Sequence, residues 1–350
     1  MQLPGFLAQH PEVRRLVVLS NRTLDDRLVL PPKVPVHRNN LALRGKIGRI
    51  VWDQWAVYGA ARRLGNEWLF LPKGFASFCR KCPVKLVTCV ADANHDYYAE
   101  HYPGCVPALE MWYFQKAVRA TIRFSDLIVT ISDFTAAEVT RLARKHGLDA
   151  PPIRSIGIGF SPPSLRELPK QERIIVFAGR WPHKRTDLAL EYLRRWQEKS
   201  RFPGTVEWVG KLPPGMELPA FPTWRLHARL PEEEFRRRVA EAQTVVYFSA
   251  YEGFGMPPVE AILAGTDAVY SDLPATREVM AGTGHAFSNE AYESFERALN
   301  AALHTRPERL RVWGAELLER HQWPAVAERA VHAMGELSDG RASGTAVKLT

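Results

Sequence analysis

The chain of 350 residues lacks the features that mark several classes of protein. No apolar run approaches the roughly 18 residues of a bilayer-spanning helix, so we expect no membrane span. The first residues do not place a basic segment before an apolar one, so we expect no secretory signal peptide there. Four cysteines are too few for a disulfide scaffold, and a reducing cytoplasm is the expected compartment.

Positive charge exceeds negative charge only in the first half of the chain. Hydrophobic residues make up 46%, enough for ordinary cores, and the length predicts two domains. Residues 1–165 contain 22 Lys and Arg against 13 Asp and Glu, whereas residues 166–350 contain 25 of each. The net charge of +9 therefore belongs to the first half. A basic half indicates an acidic partner: nucleic acid, an anionic membrane surface or a phosphorylated substrate.

Short runs rich in β-branched and aromatic residues alternate with amphipathic stretches. The runs expected to form buried strands are Leu16–Ser20, Trp68–Leu71, Leu86–Val90, Leu127–Ser132, Ile174–Ala178, Val206–Val209, Val245–Ser249 and Ala268–Ser271. Two of the expected helices are Thr186–Lys199, with Thr186 as N-cap, and the charged, solvated Glu232–Gln243. This order predicts an α/β fold of parallel sheets with helices on both faces.

A segment rich in Gly and Pro, residues 157–170, marks the expected domain boundary. We place an N-terminal domain at residues 1–162 and a C-terminal domain at residues 170–322. The polar end of the chain, residues 338–350, is expected to be a loose tail.

The segment Tyr251–Gly265 (YEGFGMPPVEAILAG) joins a predicted strand to a predicted helix through a Gly-x-Gly loop. Its two prolines suit the first turn of a helix, and glycines at a helix N-terminus let backbone N–H groups approach an anion. Glu252 is expected in the loop and Glu260 in the first helical turn. Both carboxylates could then accept hydrogen bonds from the hydroxyls of one sugar or ribose.

The segment Phe177–Asp187 (FAGRWPHKRTD) places Arg180 and Lys184 in the loop after another predicted strand. Ligands of open α/β sheets bind at the carboxyl ends of strands. Arg offers a bidentate fork for phosphate, and Lys a point charge. Taken alone, these residues would be solvated loop cations. Beside the turn that carries the two glutamates, they indicate a phosphate site.

Taken together, these segments resemble the retaining GT-B glycosyltransferases of the Glu-x7-Glu type, the glycosyl transferases group 1 or family four. The resemblance covers about residues 10–335 and is strongest in the second half. It is carried by Glu252–Glu260 with Gly265-Thr266, Phe177–Arg180 with Lys184, Ser132–Thr135, Trp52–Trp55, and Gln322-Trp323.

The resemblance implies two Rossmann-like domains that face a cleft, with the donor mainly on the C-terminal domain and the acceptor mainly on the N-terminal one. A helix at about residues 323–337 would pack back on the N-terminal domain. Arg180 and Lys184 would neutralise the donor diphosphate as it leaves. Glu252 would contact the sugar, and Glu260 would hold the ribose hydroxyls.

Other site residues also come from the resemblance. Asp92 is carried over as a catalytic residue, although Ala91 stands where the family often has a His. His95 or His101 could compensate, or both could be ordinary polar loop residues. The remaining implied donor-binding residues are Gly179, Gly253, Phe254, Gly255, Met256, Arg229 and Leu230. The last two lie in the loop 228–231, where the family contacts the base.

The implied chemistry fits these residue types. Breaking an anomeric C–O bond builds negative charge on the leaving phosphate, and preorganised cations stabilise that charge. The family retains the anomeric configuration, usually by a front-face route in which the leaving phosphate helps to deprotonate the acceptor. The sequence contains no Asp-x-Asp motif, so we expect neither a catalytic metal nor a cofactor.

The sequence departs from the family pattern in two further places. It opens at Leu3–His10, which resembles the end of the family's first helix, so the N-terminal domain is expected to lack its first strand–loop–helix unit. A truncated start and a true variant both explain this difference. Asp267 stands where the family usually has a Pro, and the sequence offers no functional reason for it.

The loop Lys73–Lys85 has two alternative interpretations beyond a plain solvated loop. Cys79 and Cys82 could begin a zinc site, but a second closely spaced pair is missing. The mixture of Phe, Lys and Arg in the same loop suits an anionic membrane surface or a lipid-phosphate acceptor.

We therefore expect a metal-independent, retaining, hexosyl-type glycosyltransferase. It would move a sugar such as mannose from a nucleotide-diphosphate donor to a glycan or lipid-linked acceptor in cell-surface polysaccharide synthesis, such as that of lipopolysaccharide. The expected location is cytoplasmic and peripheral at the inner face of the membrane. The alternatives are a GT-B epimerase, a donor hydrolase, or a degenerate donor-binding or scaffold protein. No motif supports a nucleic-acid binder, and a nicotinamide oxidoreductase would need Gly-x-Gly-x-x-G after a first strand.

Overall fold

The computed structural model describes residues 2–21, 30–38, 45–162, 168–338 and 347–349. The chain divides into two compact units: unit 1 is Met1–Phe160 with His321–Thr350, and unit 2 is Ser161–Arg320. The described strands are β1 (Val13–Leu16), β2 (Val18–Ser20), β3 (Val36–Arg38), β4 (Trp68–Leu71), β5 (Lys85–Val90), β6 (Leu127–Thr130), β7 (Ile153–Ser155), β8 (Gln171–Phe177), β9 (Thr205–Val209), β10 (Trp224–His227), β11 (Ala242–Tyr247), β12 (Asp267–Ser271), β13 (His285–Phe287) and β14 (Val347–Leu349).

Helices lie between most of the strands in both units. A π-helical turn, Trp52–Ala56, joins α2 to α3, and a 3-10 turn, Pro182–Lys184, precedes α7. The described helices are α1 (Leu3–Leu7), α2 (Gly45–Val51), α3 (Val57–Leu64), α4 (Asn94–His101), α5 (Ala108–Phe124), α6 (Asp133–Lys145), α7 (Thr186–Ser200), α8 (Glu232–Glu241), α9 (Met256–Leu263), α10 (Pro274–Met280), α11 (Tyr292–Ala302), α12 (Pro307–Arg320) and α13 (Trp323–Ser338).

Unit 1 contains a parallel sheet in the order β1-β14-β4-β5-β6-β7. Strand β14 comes from the far end of the chain and pairs with β1 on one side and β4 on the other. The structure differs here from the expected loose tail, because Val347–Leu349 form a strand. The other tail residues, 339–346 and 350, lie outside the described residues.

Helix α13 follows unit 2 in the sequence and packs in the core of unit 1. One face of the helix carries Val326, Ala330, Val331 and Met334, all of which are buried. These side chains share a hydrophobic cluster with residues of β4, β5 and β6. The apolar face of α13 thereby completes a core that begins near the start of the chain.

Unit 2 contains a second parallel sheet, in the order β10-β9-β8-β11-β12-β13. Its core includes the buried rings of Trp196, Trp208, Phe248 and Phe295. Strands β8 and β11 are central neighbours, with Val176 opposite Val246. Because parallel strands end at the same sheet edge, the loops after β8 and β11 start side by side.

Asp267 has a structural role in this unit. Its carboxylate is fully buried at the start of β12, where it accepts from the N–H of Ala268 and lies 3.2 Å from Nε2 of His285. The ammonium of Lys170 donates to the main-chain oxygen of Ala240 at 2.7 Å and to Oγ1 of Thr266 at 2.8 Å. Burial lowers the pKa of Lys170 to about 8, against an opposing effect of Asp267. The ammonium of Lys170 thus offsets part of the charge of the buried aspartate.

Candidate functional site

Two loops of unit 2 carry predicted site residues, one after β8 and one after β11, and they are hydrogen-bonded to each other. The N–H of Ala250 donates to the main-chain oxygen of His183 at 2.7 Å, and Oγ of Ser249 lies 3.1 Å from that oxygen. The loop after β8 and the loop after β11 therefore meet at the carboxyl edge of the sheet.

At this junction Lys184 contacts Glu252 directly. Nζ of Lys184 donates to Oε1 of Glu252 at 2.7 Å and to the hydroxyl of Tyr247 at 2.8 Å. The Tyr247 hydroxyl donates to the same Oε1 at 2.5 Å, and Oγ of Ser249 lies 2.8 Å from it. One carboxylate oxygen thus has an ammonium and two hydroxyls around it. The Lys184 side chain is 30% exposed and that of Glu252 14%, so both can still be reached by a ligand.

Tyr247 lies beneath this pair at the end of β11. Its side chain is buried, and burial raises its pKa well above the ordinary value, with the charge of Glu252 adding to the effect. The phenol therefore keeps its proton at neutral pH and can donate it to Glu252. Sequence analysis missed Tyr247 and Ser249. The available signal was a pair of hydroxyls at the end of an otherwise apolar strand, VVYFS.

The backbone of the first loop is shaped by Gly179. A Cβ there would lie 2.7 Å from Cγ and 2.9 Å from Cβ of Lys184, so only a residue without a side chain lets the lysine pass. Thr186 closes the loop, because its Oγ1 accepts from the N–H of Gly179 and donates to the oxygen of Gly179. The prediction that Thr186 is the N-cap of α7 is wrong: Thr186 is the first helical residue, and its hydroxyl serves the loop instead.

Arg180 and His183 occupy opposite environments in this loop. Arg180 is exposed, and its guanidinium lies 5.0 Å from the ring of Trp181 in a cation–π contact. His183 is 5% exposed, and its burial, with the neighbouring charge of Lys184, lowers its pKa to about 4. His183 is therefore neutral at pH 7, and Arg180 is free to turn toward an anion from solvent.

The second loop leads into α9 through glycine. Gly255 has φ +89, and a Cβ there would lie 2.8 Å from Cγ2 of Thr276. Phe254 is buried beside it, while Met256 is 41% exposed at the helix start. Gly253 is buried within the same turn. Pro257 and Pro258 carry no N–H, so the backbone N–H groups at this helix start are those of Phe254, Gly255 and Met256, in a tight, preformed loop of the kind that binds anions.

Glu260 is the fifth residue of α9, at the start of the second helical turn and not in the first. It is on the exposed side of the helix, and partial desolvation of its carboxyl raises its pKa, against the charge of Arg236. Of the charged residues near it, Arg236 lowers the pKa of Glu260 and Glu232 raises it, and both belong to α8. Arg229 and Leu230 lie in the loop that leads into α8, Arg229 exposed and Leu230 partly buried.

The charged run of α8 is paired within unit 2. Arg236 contacts Glu232 at 2.5 Å and Arg238 contacts Glu234 at 2.7 Å, as the spacing predicted. Arg237 instead contacts Glu241, at 3.2 Å. Ion pairs on a helix face explain this run without a basic binding patch.

Asp92 belongs to unit 1, where it follows β5. Its Oδ1 accepts from the N–H of Asn94 at 3.0 Å, at the start of α4. The ring of His95 stacks on that of Phe114 with centroids 3.7 Å apart, and burial lowers the pKa of His95. His101 is exposed at the far end of α4. Of the two candidate histidines, His95 is therefore the nearer in sequence and structure to Asp92.

Across the described parts of the chain, no three His, Cys, Asp or Glu side chains come close enough to hold a metal ion. Cys79 and Cys82, with Cys89 and Cys105, are free thiols. None of the described helices combines the length and the apolar character that a bilayer crossing requires.

Comparisons with known proteins relate the chain to glycosyltransferases. Residues 172–339 match the family model described as Glycosyl transferases group 1. The chain is 22% identical over 306 residues to the O-antigen chain mannosyltransferase RfbU of Salmonella typhimurium, covering 85% of this chain and 78% of that protein. It is 25% identical over 224 residues to the O-antigen chain mannosyltransferase B of Escherichia coli, covering 54% of this chain and 55% of that one.

The fold has solved relatives as well. The sucrose-phosphate synthase of Thermosynechococcus elongatus superposes with a TM-score of 0.66 at 15% identity, covering 97% of this chain and 92% of that chain. The predicted α/β fold with parallel sheets is thereby confirmed. The chain has the α/β fold of the GT-B glycosyltransferases, and its residues 172–339 match the glycosyl transferases group 1 family.

Proposed function

We propose that this chain is a retaining glycosyltransferase that takes a hexose from a nucleoside diphosphate and passes it to a glycan or lipid-linked acceptor. The contact of Lys184 with Glu252 at the carboxyl edge of the unit 2 sheet carries the proposal. In this proposal Lys184 is the cation for the leaving phosphate and Glu252 the carboxylate for the sugar, and the loops that carry them are hydrogen-bonded to each other.

The donor would extend over three elements of unit 2. The diphosphate would be bound by Lys184 and Arg180 together with the backbone N–H groups of Phe254, Gly255 and Met256. Glu260 would accept the ribose hydroxyls, and the base would lie toward Arg229 and Leu230. Donor binding then requires Lys184 to exchange part of its contact with Glu252 for a phosphate oxygen.

Charge development explains what these residues would do. As the anomeric C–O bond breaks, negative charge builds on the diphosphate, and Lys184 and Arg180 stabilise it. The cations of the protein take the part that a divalent metal plays elsewhere, which is why we propose a metal-independent reaction. The leaving phosphate would help to deprotonate the acceptor on the same face of the sugar, with retention of configuration. Asp92 of unit 1 would act at the acceptor side.

The relatives guide the choice of substrate. Two of them are named as O-antigen chain mannosyltransferases, and we propose mannose as the first donor sugar to test and a cell-surface polysaccharide as the product. The basic first half of the chain supports an acidic or membrane-borne acceptor.

A panel of nucleotide sugars, scored for binding and for turnover with and without acceptor lipid extract, tests the proposal. Lys184→Ala and Glu252→Gln should each lower transfer by about 100-fold or more while the fold persists. Lys199→Ala and Glu198→Gln, on the exposed face of α7, are matched controls and should retain full activity.

The result also separates the alternatives. Full transfer by either site variant would overturn the site assignment. Donor breakdown that ignores the acceptor would make the chain a hydrolase, and inversion at a sugar carbon would make it an epimerase. Donor binding without any turnover would leave a binding or scaffold protein.

A further inference from the structure

The main chain of Ser249 is held by side chains from two other strand ends. The paired positions of β11 and β12 end at Tyr247 and Tyr270, so the polar groups of Ser249 need other partners. Its N–H donates to Oγ of Ser271 at 3.0 Å, and its main-chain oxygen accepts from Nδ2 of Asn289 at 2.7 Å. Oγ of Ser271 donates to Oδ1 of Asn289 at 2.7 Å, which closes the circuit. We call Ser249, Ser271 and Asn289 the Ser249 network.

The Ser249 network joins the carboxyl ends of three adjacent strands. Ser249 follows β11, Ser271 is the last residue of β12, and Asn289 follows β13. Ser249 and Ser271 are buried, and Asn289 is partly buried. The main-chain oxygen of Asn289 accepts from the hydroxyl of Tyr192 at 2.9 Å. Because Tyr192 belongs to the hydrophobic core of unit 2, Asn289 is itself anchored to that core.

The orientation of the Asn289 amide follows from its partners. A main-chain oxygen can only accept, so the amide group that faces the oxygen of Ser249 is the NH2 and not the carbonyl. The Ser271 hydroxyl then donates its one proton to Oδ1 of Asn289 and accepts from the N–H of Ser249. Each polar group of the network therefore has one defined role. An ionised aspartate at position 289 could not donate to Ser249.

The Ser249 hydroxyl has more acceptors around it than protons to donate. Its Oγ lies 2.8 Å from Oε1 of Glu252, 3.0 Å from the main-chain oxygen of Tyr251 and 3.1 Å from that of His183. With a single proton, it donates to one of these oxygens at a time. The position of the Ser249 main chain therefore decides which acceptor is favoured, and the Ser249 network fixes that main chain through both its N–H and its oxygen.

We propose that Asn289 is a positioning residue for Glu252 and acts on it through Ser249. The inference rests on the proposed function, in which Glu252 contacts the donor sugar. With the network intact, the Ser249 hydroxyl is held at Oε1 of Glu252. With the network broken, the hydroxyl can turn to the main-chain oxygen of Tyr251 or His183, and the carboxylate loses one of its donors.

Asn289→Asp tests the proposal, because it keeps the shape of the side chain and replaces the donor to Ser249 by an oxygen. We expect kcat for transfer to fall by about tenfold, since a charged group loses a hydrogen bond. The KM for the donor should change by less than about threefold, because Lys184 and Arg180 are untouched. Asn300→Asp is the matched control and should keep the wild-type kcat. Oδ1 of Asn300 accepts from Nε1 of Trp196 at 2.9 Å, a role that a carboxylate retains.

Ser249→Ala identifies the path from Asn289 to Glu252. This change removes the hydroxyl and keeps the main-chain groups that Asn289 and Ser271 bind. In the Ser249→Ala background, Asn289→Asp should therefore lower kcat little further. An equal fold loss in both backgrounds would overturn the inference, and so would wild-type kcat in the single Asn289→Asp variant. A rise in donor KM larger than the fall in kcat would make Asn289 a direct donor contact and overturn it too.

Hydrogen exchange followed by mass spectrometry separates this inference from the proposed function. Peptides that cover residues 249–256 should exchange faster in Asn289→Asp than in the wild type, with exchange in β9 unchanged. Unchanged exchange at residues 249–256 would overturn the inference whatever the activity. A wild type that transfers no sugar would contradict the proposed function, and the exchange data would still decide whether Asn289 holds the loop of Glu252. Ser271→Ala breaks the same network from β12 and should reproduce both results if Asn289→Asp does not fold.

Discussion

At the scale of single residues, the Tyr247 hydroxyl orients both Lys184 and Glu252 through hydrogen bonds. It lies between them, accepting from the ammonium and donating to the carboxylate. If a diphosphate draws Lys184 away, as the proposed function requires, the hydroxyl would still donate to Glu252, so the carboxylate need not turn. Tyr247 is thus a positioning residue for the proposed reaction.

We expect Tyr247→Phe to lower kcat for transfer by about tenfold, since one hydrogen bond to a charged group is lost. The KM for the donor should change less, because Lys184 and Arg180 remain. Tyr270→Phe is the matched control: Tyr270 pairs with Tyr247 in the neighbouring strand, and its hydroxyl donates to Thr283 instead. Equal kinetic losses in both variants would show that Tyr247 acts through stability alone.

His183 gives unit 2 a pH dependence of stability. Its pKa is about 4 in the folded protein and 6.5 in the unfolded chain, so the folded state binds fewer protons between these values. The contribution to stability is complete above pH 6.5 and is lost as the pH falls toward 4, by up to about 3 kcal/mol.

Urea unfolding of the wild type and His183→Gln between pH 4 and 7.5 measures this effect. The variant should show a flatter dependence of the free energy of unfolding on pH. His101→Gln, at an exposed position, should keep the wild-type dependence. A variant at position 183 that follows the wild-type curve would contradict the burial argument.

At the scale of elements, the loop after β8 positions Lys184, because the Gly179 backbone packs closely against the Lys184 side chain. Gly179→Ala should displace the loop, because the added Cβ meets the stiff base of the Lys184 side chain at 2.7 Å. We expect unit 2 to lose about 1–3 kcal/mol and transfer to fall by at least tenfold. Gly335→Ala, inside α13 with open space around it, should instead stabilise the chain by about 0.5–1 kcal/mol. Thermal unfolding and steady-state kinetics of both variants decide between these expectations.

The sequence predicted most of the inner strands, with the exception of β14, and missed three edge strands. The expected strands of unit 2 correspond to β8, β9, β11 and β12, which begin one to three residues earlier. Long apolar runs identify such strands because both of their faces are covered. Strands β7, β10 and β13 lie at sheet edges and were not predicted, since three or four residues carry little periodicity. The expected strand Leu16–Ser20 is divided at Val17 between β1 and β2.

The sequence identified the loops that carry the candidate site, but it could not predict which side chains contact each other there. The sequence places Lys184 and Glu252 after two predicted strands. It does not show that these strands, β8 and β11, are neighbours in the sheet. The order of the sheet brings Tyr247 beneath both side chains; the hydroxyls that end the apolar run VVYFS mark Tyr247 in the sequence but do not identify its partners. Asp267 likewise became interpretable once His285, from β13, lay beside it.

At the scale of the whole molecule, the chain leaves unit 1 at Phe160 and returns to it at His321. The core of unit 1 therefore includes residues that follow unit 2 in the sequence. Ala330 and Met334 are fully buried there, alongside Val87 and Leu127 of the sheet. Unit 2 contains its own separate core around Trp208 and Phe295. The stability of the two units should then respond separately to changes in α13.

Met334→Ala tests this separation because it removes a fully buried side chain at the end of the sequence. We expect unit 1 to lose about 2–5 kcal/mol, as for other large-to-small core changes. Hydrogen exchange followed by mass spectrometry should show faster exchange in β4, β5 and β6 and unchanged exchange in β8 and β11. Leu299→Ala, in the core of unit 2, should give the reverse pattern. If Met334→Ala accelerates exchange in β8 and β11 as much as in β5, the two cores are energetically one, and the division at Phe160 and His321 is geometric only.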